Sequence, residues 1–302
     1  MDFRELQYVV SIAKHQNITR ASEEVYVSQP TLSKFVQNLE HILGQPIFRR
    51  LGNKFLLTYA GERYVEKATA MLNMKKSLDQ ELDDIMKKDI GVLKIAFPIM
   101  RGTYMLPCTL PVFRKEYPRV KVSVTEANSD SLEDMILNGD IDIAFFALPI
   151  RHSDIDCDII KEEEVLMVMS ANHPLAGEGI TRAECKYPWF DLSKLKGEIF
   201  IVQRGDQRTR QITEQIMRDA GIPIGNNLEI RNIVASVELA ASGYGITFVS
   251  ESHLRHIVPK TKPAFFSIGN PKTITSFVAA YRIGIYLPHY ASRYIQIVKD
   301  FT

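Results

Sequence analysis

From Glu62 to Lys88 the chain contains neither proline nor glycine, an interval that a long uninterrupted helix fills best. Along it Tyr64, Ala68, Met71, Lys75, Leu78, Leu82 and Ile85 recur at alternating spacings of four and three. This is the heptad rhythm of a helix that pairs with another, and the polar Lys75 is the kind of interruption that sets register. From Tyr59 to Lys87 such a helix would be about 43 Å long at 1.5 Å per residue. Its narrow apolar stripe needs a partner, either a second copy of the helix or the rest of its own chain. A short segment precedes this helix and a much longer one follows it.

The short segment carries helical punctuation. Phe3, Leu6, Val9, Val10 and Ala13 share one face of a first helix, and Asn17 or Thr19 caps a second that carries Ala21, Ser22 and Val25. Ser28 then caps a third helix, in which Pro30 is tolerated because the amide it lacks has no partner in a first turn. Leu32, Val36 and Leu39 form its buried stripe, which leaves Gln29, Thr31, Ser33, Lys34 and Gln37 outside. Short polar groups and a cation at a helix N-terminus suit phosphate and base-edge contacts in a major groove. The same pattern also fits an ordinary solvated face. Ile47-Phe48 and Phe55-Leu56-Leu57 flank Arg49, Arg50, Gly52, Asn53 and Lys54, which reads as a hairpin with cations near its tip. Residues 1–59 hold seven Lys/Arg against five Asp/Glu, so one copy would bind DNA weakly and two are expected.

These pieces together resemble the LysR-type transcriptional regulators. The resemblance rests on Thr19-Arg20-Ala21-Ser22, Val27-Ser28-Gln29-Pro30-Thr31-Leu32-Ser33, Leu39-Glu40, Leu43-Gly44, Ile47-Phe48-Arg49-Arg50 and Leu57-Thr58-Tyr59-Ala60-Gly61. It implies that Gln29, Pro30, Thr31, Ser33 and Lys34 face the major groove of double-stranded DNA, with wing contacts near Arg50 and Asn53. It also implies that the long helix pairs two protomers, and it favours a homotetramer built from two such homodimers. Ser22 departs from the second alanine common in that family, and a small side chain fits there equally well.

Beyond Gly91 strands and helices alternate: strands at 92–97, 120–125, 141–147, 165–170, 199–202, 228–230, 246–249 and 274–281, with helices between several of them and one at 291–299. That alternation implies βαβ units and mainly parallel sheets. The strands are too many for one modest sheet, so two lobes are expected. Pro111 predicts a shortened or kinked start for the helix read at 106–117, and Glu162-Glu163-Glu164 reads as a solvated run. The family resemblance continues more loosely through Tyr117-Pro118, Gly139-Asp140-Ile141-Asp142-Ile143-Ala144, Asn172-His173-Pro174-Leu175 and Gly243-Tyr244-Gly245-Ile246.

The expected fold class is α/β: an N-terminal winged helix-turn-helix and long linker helix, then two α/β lobes that the resemblance likens to periplasmic solute-binding proteins. The expected boundaries are 1–59 for the DNA-binding domain, 60–89 for the linker and 90–302 for the effector-binding domain. Within the last, lobe I takes 90–164 and 269–302, and lobe II takes 165–268. Ligands of open α/β sheets sit at the carboxyl ends of strands. That rule selects Ile99, Met100, Arg101 and Thr103 in a loop at 98–103, then Ser129, Gln203, Arg204 and Ile233. Helix N-termini at these turns favour an anionic effector, while Ile99 and Met100, where many of the family carry hydroxyl residues, point to one that is partly apolar.

The 302 residues are 45% apolar and 24% charged with a net charge of +1, a soluble balance in which bulk charge announces no partner. Cys108, Cys157 and Cys185 form no CxxC pair and read as reduced thiols. No apolar run is long enough to span a bilayer, and Met1-Asp2-Phe3-Arg4-Glu5 does not begin an export signal, so a cytoplasmic protein without membrane contact is expected. Asp154 to Asp158 has calcium-loop spacing but lacks the glycine and glutamate such a loop needs, and His253 with His256 lacks further ligands. No local nucleophile and base pair up, and neither catalysis nor a cofactor is expected. Two alternatives use the same lobes: a cytoplasmic solute-binding sensor, or an enzyme-like α/β domain fused to a DNA-binding domain.

Overall fold

The computed structural model describes residues 2–302 other than Asn53, Lys87, Lys88, Ile224, Asn226 and Pro271 and, of Gln80, Asp83, Asp84 and Ile85, the backbone only. The chain divides into two units, residues 1–88 with 284–288, and residues 89–283 with 289–302.

The first unit begins with α1 (Phe3–His15), whose N-cap Asp2 and N3 residue Glu5 close a capping box. Asn17 caps α2 (Ile18–Glu24), accepting from Thr19 N and Arg20 N. Ser28 caps α3 (Gln29–Leu43), which stops at Gly44 in the left-handed conformation. β1 (Phe48–Leu51) and β2 (Lys54–Leu57) pair antiparallel, with Phe48 opposite Leu57 and Leu51 opposite Lys54. Val9, Ile12, Ala21, Leu32, Val36, Ile47, Phe48 and Phe55 form the core beneath them.

Two details explain motif residues that periodicity leaves unexplained. Glu40 Oε1 accepts from the backbone N–H of Ile47 and of Phe48, both at 2.9 Å, tying α3 to the hairpin. Thr58 opens α4 (Tyr59–Ile85) by accepting from Gly61 N at 3.0 Å while donating to Pro46 O at 2.8 Å. A Cβ on Gly61 would lie 1.9 Å from Ile47 O, so only glycine lets α4 start this close to the hairpin.

On α4 the expected stripe splits. Tyr64 packs against the first unit's core and Ala68 is 1% exposed, so these two serve their own chain and leave the pairing stripe. Met71, Met74, Leu78 and Leu82 stand exposed. The side chain of Ile85 lies outside the described residues. Lys75 pairs with Asp79 one turn on, at 2.5 Å.

In the second unit one long strand organises everything. β3 (Gly91–Phe97) lies parallel to both β4 (Val120–Glu126) and β5 (Ile143–Ala147). β11 (Ile274–Arg282) runs antiparallel beside β5. β6 (Ile155–Ser170) pairs with β11 over Ile155–Glu164. Its remaining residues pair antiparallel with β10 (Pro263–Ser267) on one side and β9 (Thr247–Ser250) on the other. β7 (Phe200–Val202) and β8 (Asn227–Glu229) form a parallel pair within the second lobe, and Phe200 bridges to Ile246, the residue before β9. The strands that pass between lobes are thus antiparallel to their neighbours, and the sheet is mixed. Glu163 and Glu164 on β6 are buried at 3% and 7% exposure while Glu162 is exposed, so the acidic run is part of a sheet and is solvated only at its first residue.

The helices follow the strand ends. α5 (Ile99–Glu116) follows β3, α6 (Ser129–Asn138) follows β4, α7 (Arg208–Asp219) follows β7, and α8 (Ile233–Ala241) follows β8. α9 (Glu251–Leu254) follows β9, and α10 (His289–Asp300) packs on α5. The expected loop at 98–103 is instead the first turn of α5. Pro107 and Pro111 lie inside that helix, both on its exposed side, where water can satisfy the carbonyls they leave without an amide.

Candidate functional site

The first unit presents an exposed polar face on the leading turns of α3. Gln29, Pro30, Thr31, Lys34 and Gln37 are exposed and Ser33 is half-buried. The buried positions between them are Leu32 and Val36, which fix the helix on its core and turn the polar residues outward together. The Thr31 hydroxyl sits 2.7 Å from Ser28 Oγ, so the cap also orients one of the outward groups. On the hairpin Arg49, Arg50 and Lys54 are exposed. The Arg50 guanidinium lies 4.8 Å from the centroid of Phe55, its cross-strand partner, which holds the cation in place before any partner arrives. Asn53 lies outside the described residues.

In the second unit the N-termini of α5, α6, α7 and α8 all follow strand ends, and the residues selected from the sequence fall into separate groups. Met100 packs against the cluster that contains Ile233, Val237 and Ile201, joining the two lobes through apolar contact. Ser129 is the first residue of α6 and is buried at 3%. Gln203 is fully buried, its Nε2 donating to Ser236 Oγ at 3.2 Å. Arg204 is exposed, 4.0 Å from Glu229. Ile99 is 61% exposed, and Thr103 is an exposed residue whose hydroxyl donates to Ile99 O within its own helix.

Arg101 departs from the expectation of a cation awaiting an anionic ligand. It is 3% exposed, its Nη1 and Nη2 donate to the two Glu163 oxygens at 2.7 and 2.8 Å, and Nη1 also reaches Ser252 Oγ at 3.0 Å. Its guanidinium lies 4.0 Å from the Phe277 ring centroid. The residue fastens α5 to β6 and α9, and burial has already supplied its counter-charge. Beside it Tyr104 stacks on His256 at 4.0 Å between centroids and lies 3.3 Å from His253 Nδ1. Burial first, then the Arg101 charge, pushes His253 well below the usual histidine range, so the ring is neutral in this contact.

The sequence did not flag the second set of interlobe contacts. Arg208, at the start of α7, donates to Glu133 on α6; their side chains are 4% and 0% exposed. Glu133 also accepts from Arg151 N at 2.8 Å. Around this pair Asn128 Nδ2 donates to Asp206 at 3.4 Å, Arg231 donates to Asp206 at 2.8 Å, and Gln211 Nε2 reaches Asp130 at 3.5 Å. Helix starts bearing opposite charges were the available signal, but nothing local says which of them meet.

An exposed winged helix-turn-helix face and a two-lobed α/β unit define a regulator that couples DNA to a small molecule. Residues 3–62 match the bacterial regulatory helix-turn-helix protein, lysR family, and residues 87–302 match the LysR substrate binding domain. The chain belongs to the LysR family of transcriptional regulators. It is 26% identical over 250 residues to the RuBisCO operon transcriptional regulator of Allochromatium vinosum, covering 83% of this chain and 80% of that one. It is 28% identical to the HTH-type transcriptional regulator CfxR of Cupriavidus necator, covering 83% and 76%. Among solved structures it superposes on a cysteine-to-aspartate variant of full-length OxyR from Pseudomonas aeruginosa with a TM-score of 0.74 and 25% identity, covering 99% and 94% of the two chains. Full-length CbnR, crystallised with its target DNA, shares the fold at a TM-score of 0.58 and 22% identity over the whole of both chains.

Proposed function

We propose that the leading face of α3 reads the major groove of promoter DNA through Gln29, Pro30, Thr31, Ser33, Lys34 and Gln37. The wing adds contacts to the backbone from Arg50 and Asn53. The single observation that carries this is the outward set on α3, held by Leu32 and Val36 below and by the Ser28 cap. Two copies pair through Met71, Leu78 and Leu82 of α4, which are exposed in the single chain. A small-molecule effector enters between the lobes near Met100, Ser129, Gln203 and Ile233, and acts through its different affinity for the arrangements the oligomer adopts on DNA. The reading is of a binding protein rather than an enzyme, supported by a family of DNA-binding regulators. No helix among the described residues is long and apolar enough to cross a membrane, and a promoter-binding role places the protein in the cytoplasm.

The test of the DNA face is Ser33→Glu, measured by fluorescence anisotropy on operator duplex. The new anion faces phosphates, and affinity should fall by about a hundredfold or more with the circular dichroism spectrum and oligomer size unchanged. Unchanged affinity would remove α3 from the interface. The cleft is tested by thermal unfolding of the full chain against aromatic acids, inorganic anions and plain carboxylates. A ligand at a hundred times its Kd stabilises by about 2.7 kcal/mol, and a shift that Ser129→Trp abolishes belongs to the cleft.

A further inference from the structure

Resting on the cleft reading above, we infer that the β7–α7 corner holds a small carboxylate that carries a hydroxyl or ammonium group on the neighbouring carbon. Three polar side-chain atoms within this one connection are buried without a hydrogen-bond partner: Gln203 Oε1, Asp206 Oδ1 and Arg208 Nε. Gln203 is 0% exposed and Arg208 is 4% exposed. Buried polar atoms are ordinarily paired, and an exception asks for an explanation. The first two are acceptors that need donors, and the third is a donor that needs an acceptor.

The orientation of Gln203 is fixed by its neighbour. Ser236 spends its hydroxyl hydrogen on Ile233 O at 2.7 Å, so its oxygen is left to accept from Gln203 Nε2 at 3.2 Å. The amide oxygen is therefore the unmatched atom. The carboxylate of Asp206 is anchored through its other oxygen by Arg231 and Asn128, leaving Oδ1 as a positioned acceptor. Arg208 is held at its far end by Glu133 and Gln211, which leaves Nε as a positioned donor at the first residue of α7. That helix has no side-chain cap, and its dipole favours a negative group in the same place.

The complement of these three atoms is one anionic acceptor beside one or two donors. Charge agrees with this: Asp130, Glu133 and Asp206 are balanced in this corner by Arg151, Arg208 and Arg231. A ligand of zero or single negative charge suits such a balance, and a strongly charged polyanion does not. The Arg208 guanidinium also repels a bare metal ion. A carboxylate takes Arg208 Nε, and the adjacent hydroxyl or ammonium donates to Asp206 Oδ1 and Gln203 Oε1.

The experiment is thermal unfolding of the full-length chain with matched three-, four- and six-carbon acids. Each is supplied as the plain acid, the 2-hydroxy acid and the 2-amino acid: propionate, lactate and alanine, and their longer counterparts. A site built with polar partners rejects the analogue that lacks them, so a substituted acid should bind about tenfold or more tightly than its plain counterpart. The hydroxy and amino arms decide which donor is used. Asp206→Asn should erase the tenfold preference, and Arg208→Lys should weaken every acid by removing Nε. Plain acids that bind as tightly as substituted ones, with Arg208 still required, overturn the ligand class and leave the cleft standing. Stabilisation by substituted acids that ignores Gln203, Asp206 and Arg208 overturns the corner as their site, and if Ser129→Trp also leaves that shift unchanged the cleft reading falls with it. A panel of substituted acids that moves nothing, while an aromatic acid or inorganic anion gives a shift that Ser129→Trp abolishes, overturns the class alone. Silence from every compound also overturns it.

Discussion

On α3, Gln29, Lys34 and Gln37 stand in solvent with their polar ends turned outward. On α6 and α7, Glu133 in the second turn and Arg208 at the first residue are instead buried and bonded to each other across the lobes. The contrast follows from what each surface must meet. A duplex brings its own charges to a face that is already assembled, so exposed polar groups there lose little in the free protein. A cleft that closes removes its charges from water and must supply partners from its own chain. Rigidity is therefore placed differently: under the DNA face as an apolar core, and within the two-lobed unit as buried ion pairs.

The largest test of this contrast is Arg101→Met. The substitution leaves Glu163 buried with its bidentate partner gone, and breaking a buried pair from one side costs about 3–5 kcal/mol. Denaturant unfolding of the full chain should show that loss in the second unit, while circular dichroism of the first is preserved. A cost within about 0.5 kcal/mol, the usual range for surface positions, would mean that paired charge does not hold α5 on β6. Gly61→Ala tests the other side. Its Cβ meets the backbone carbonyl of Ile47 at 1.9 Å, and overpacking against backbone costs about 3 kcal/mol. The expected result is a lower midpoint for the first unit and weaker DNA binding through a displaced wing.

Leu78→Asp sharpens the same comparison on α4. Leu78 is 54% exposed in the single chain, so the fold should lose less than about 0.5 kcal/mol. Analytical ultracentrifugation should nonetheless show the pair dissociating at concentrations where the parent remains associated. A variant that sediments like the parent would remove Leu78 from the seam.

What was legible in the sequence tracks the sequence distance over which each feature is decided. The α3 face, the Ser28 cap, the hairpin and α4 are settled within a few turns, and periodicity with capping chemistry reads them. The two-lobed α/β architecture was also legible from alternating strands and helices. Pairings decided far apart were not. Arg101 and Glu163 are separated by 62 positions, and Glu133 and Arg208 by 75. An arginine after a strand looks the same whether it awaits a ligand or already has a carboxylate. The split of the α4 stripe was hidden for a related reason: Tyr64 and Ala68 keep the heptad rhythm while facing their own core, because one helix face runs continuously past two different partners. The expectation of solvent at 162–164 rested on composition, and β6 buries Glu163 and Glu164 together while leaving Glu162 exposed.

The smallest effect, and the one with a pH signature, concerns Glu24. It clamps α2 onto α1 by accepting from Ser11 Oγ at 2.5 Å and Lys14 Nζ at 2.7 Å, with His15 Nε2 at 3.1 Å. Partial burial pushes its carboxyl upward, but the hydrogen bonds from Lys14 and Ser11 and the nearby positive charge outweigh this and bring it down from 4.5 to about 2. A carboxyl lowered in the folded state adds stability that is fully present above its unfolded value and is lost as pH falls through the folded one. A shift of this size would be worth about 3 kcal/mol if fully expressed. The Glu24 side chain is 38% exposed, and solvent screening reduces the expected contribution to about 1 kcal/mol. Glu24→Gln should therefore lower the stability of the first unit by about 1 kcal/mol at pH 7. The difference from the parent should hold down to about pH 4.5, shrink between 4.5 and 2, and vanish below that. A difference that stays constant through that window would assign the loss to packing rather than charge. The DNA-binding unit would then rest on its apolar core alone, and the contrast with the charge-held lobes would be sharper still.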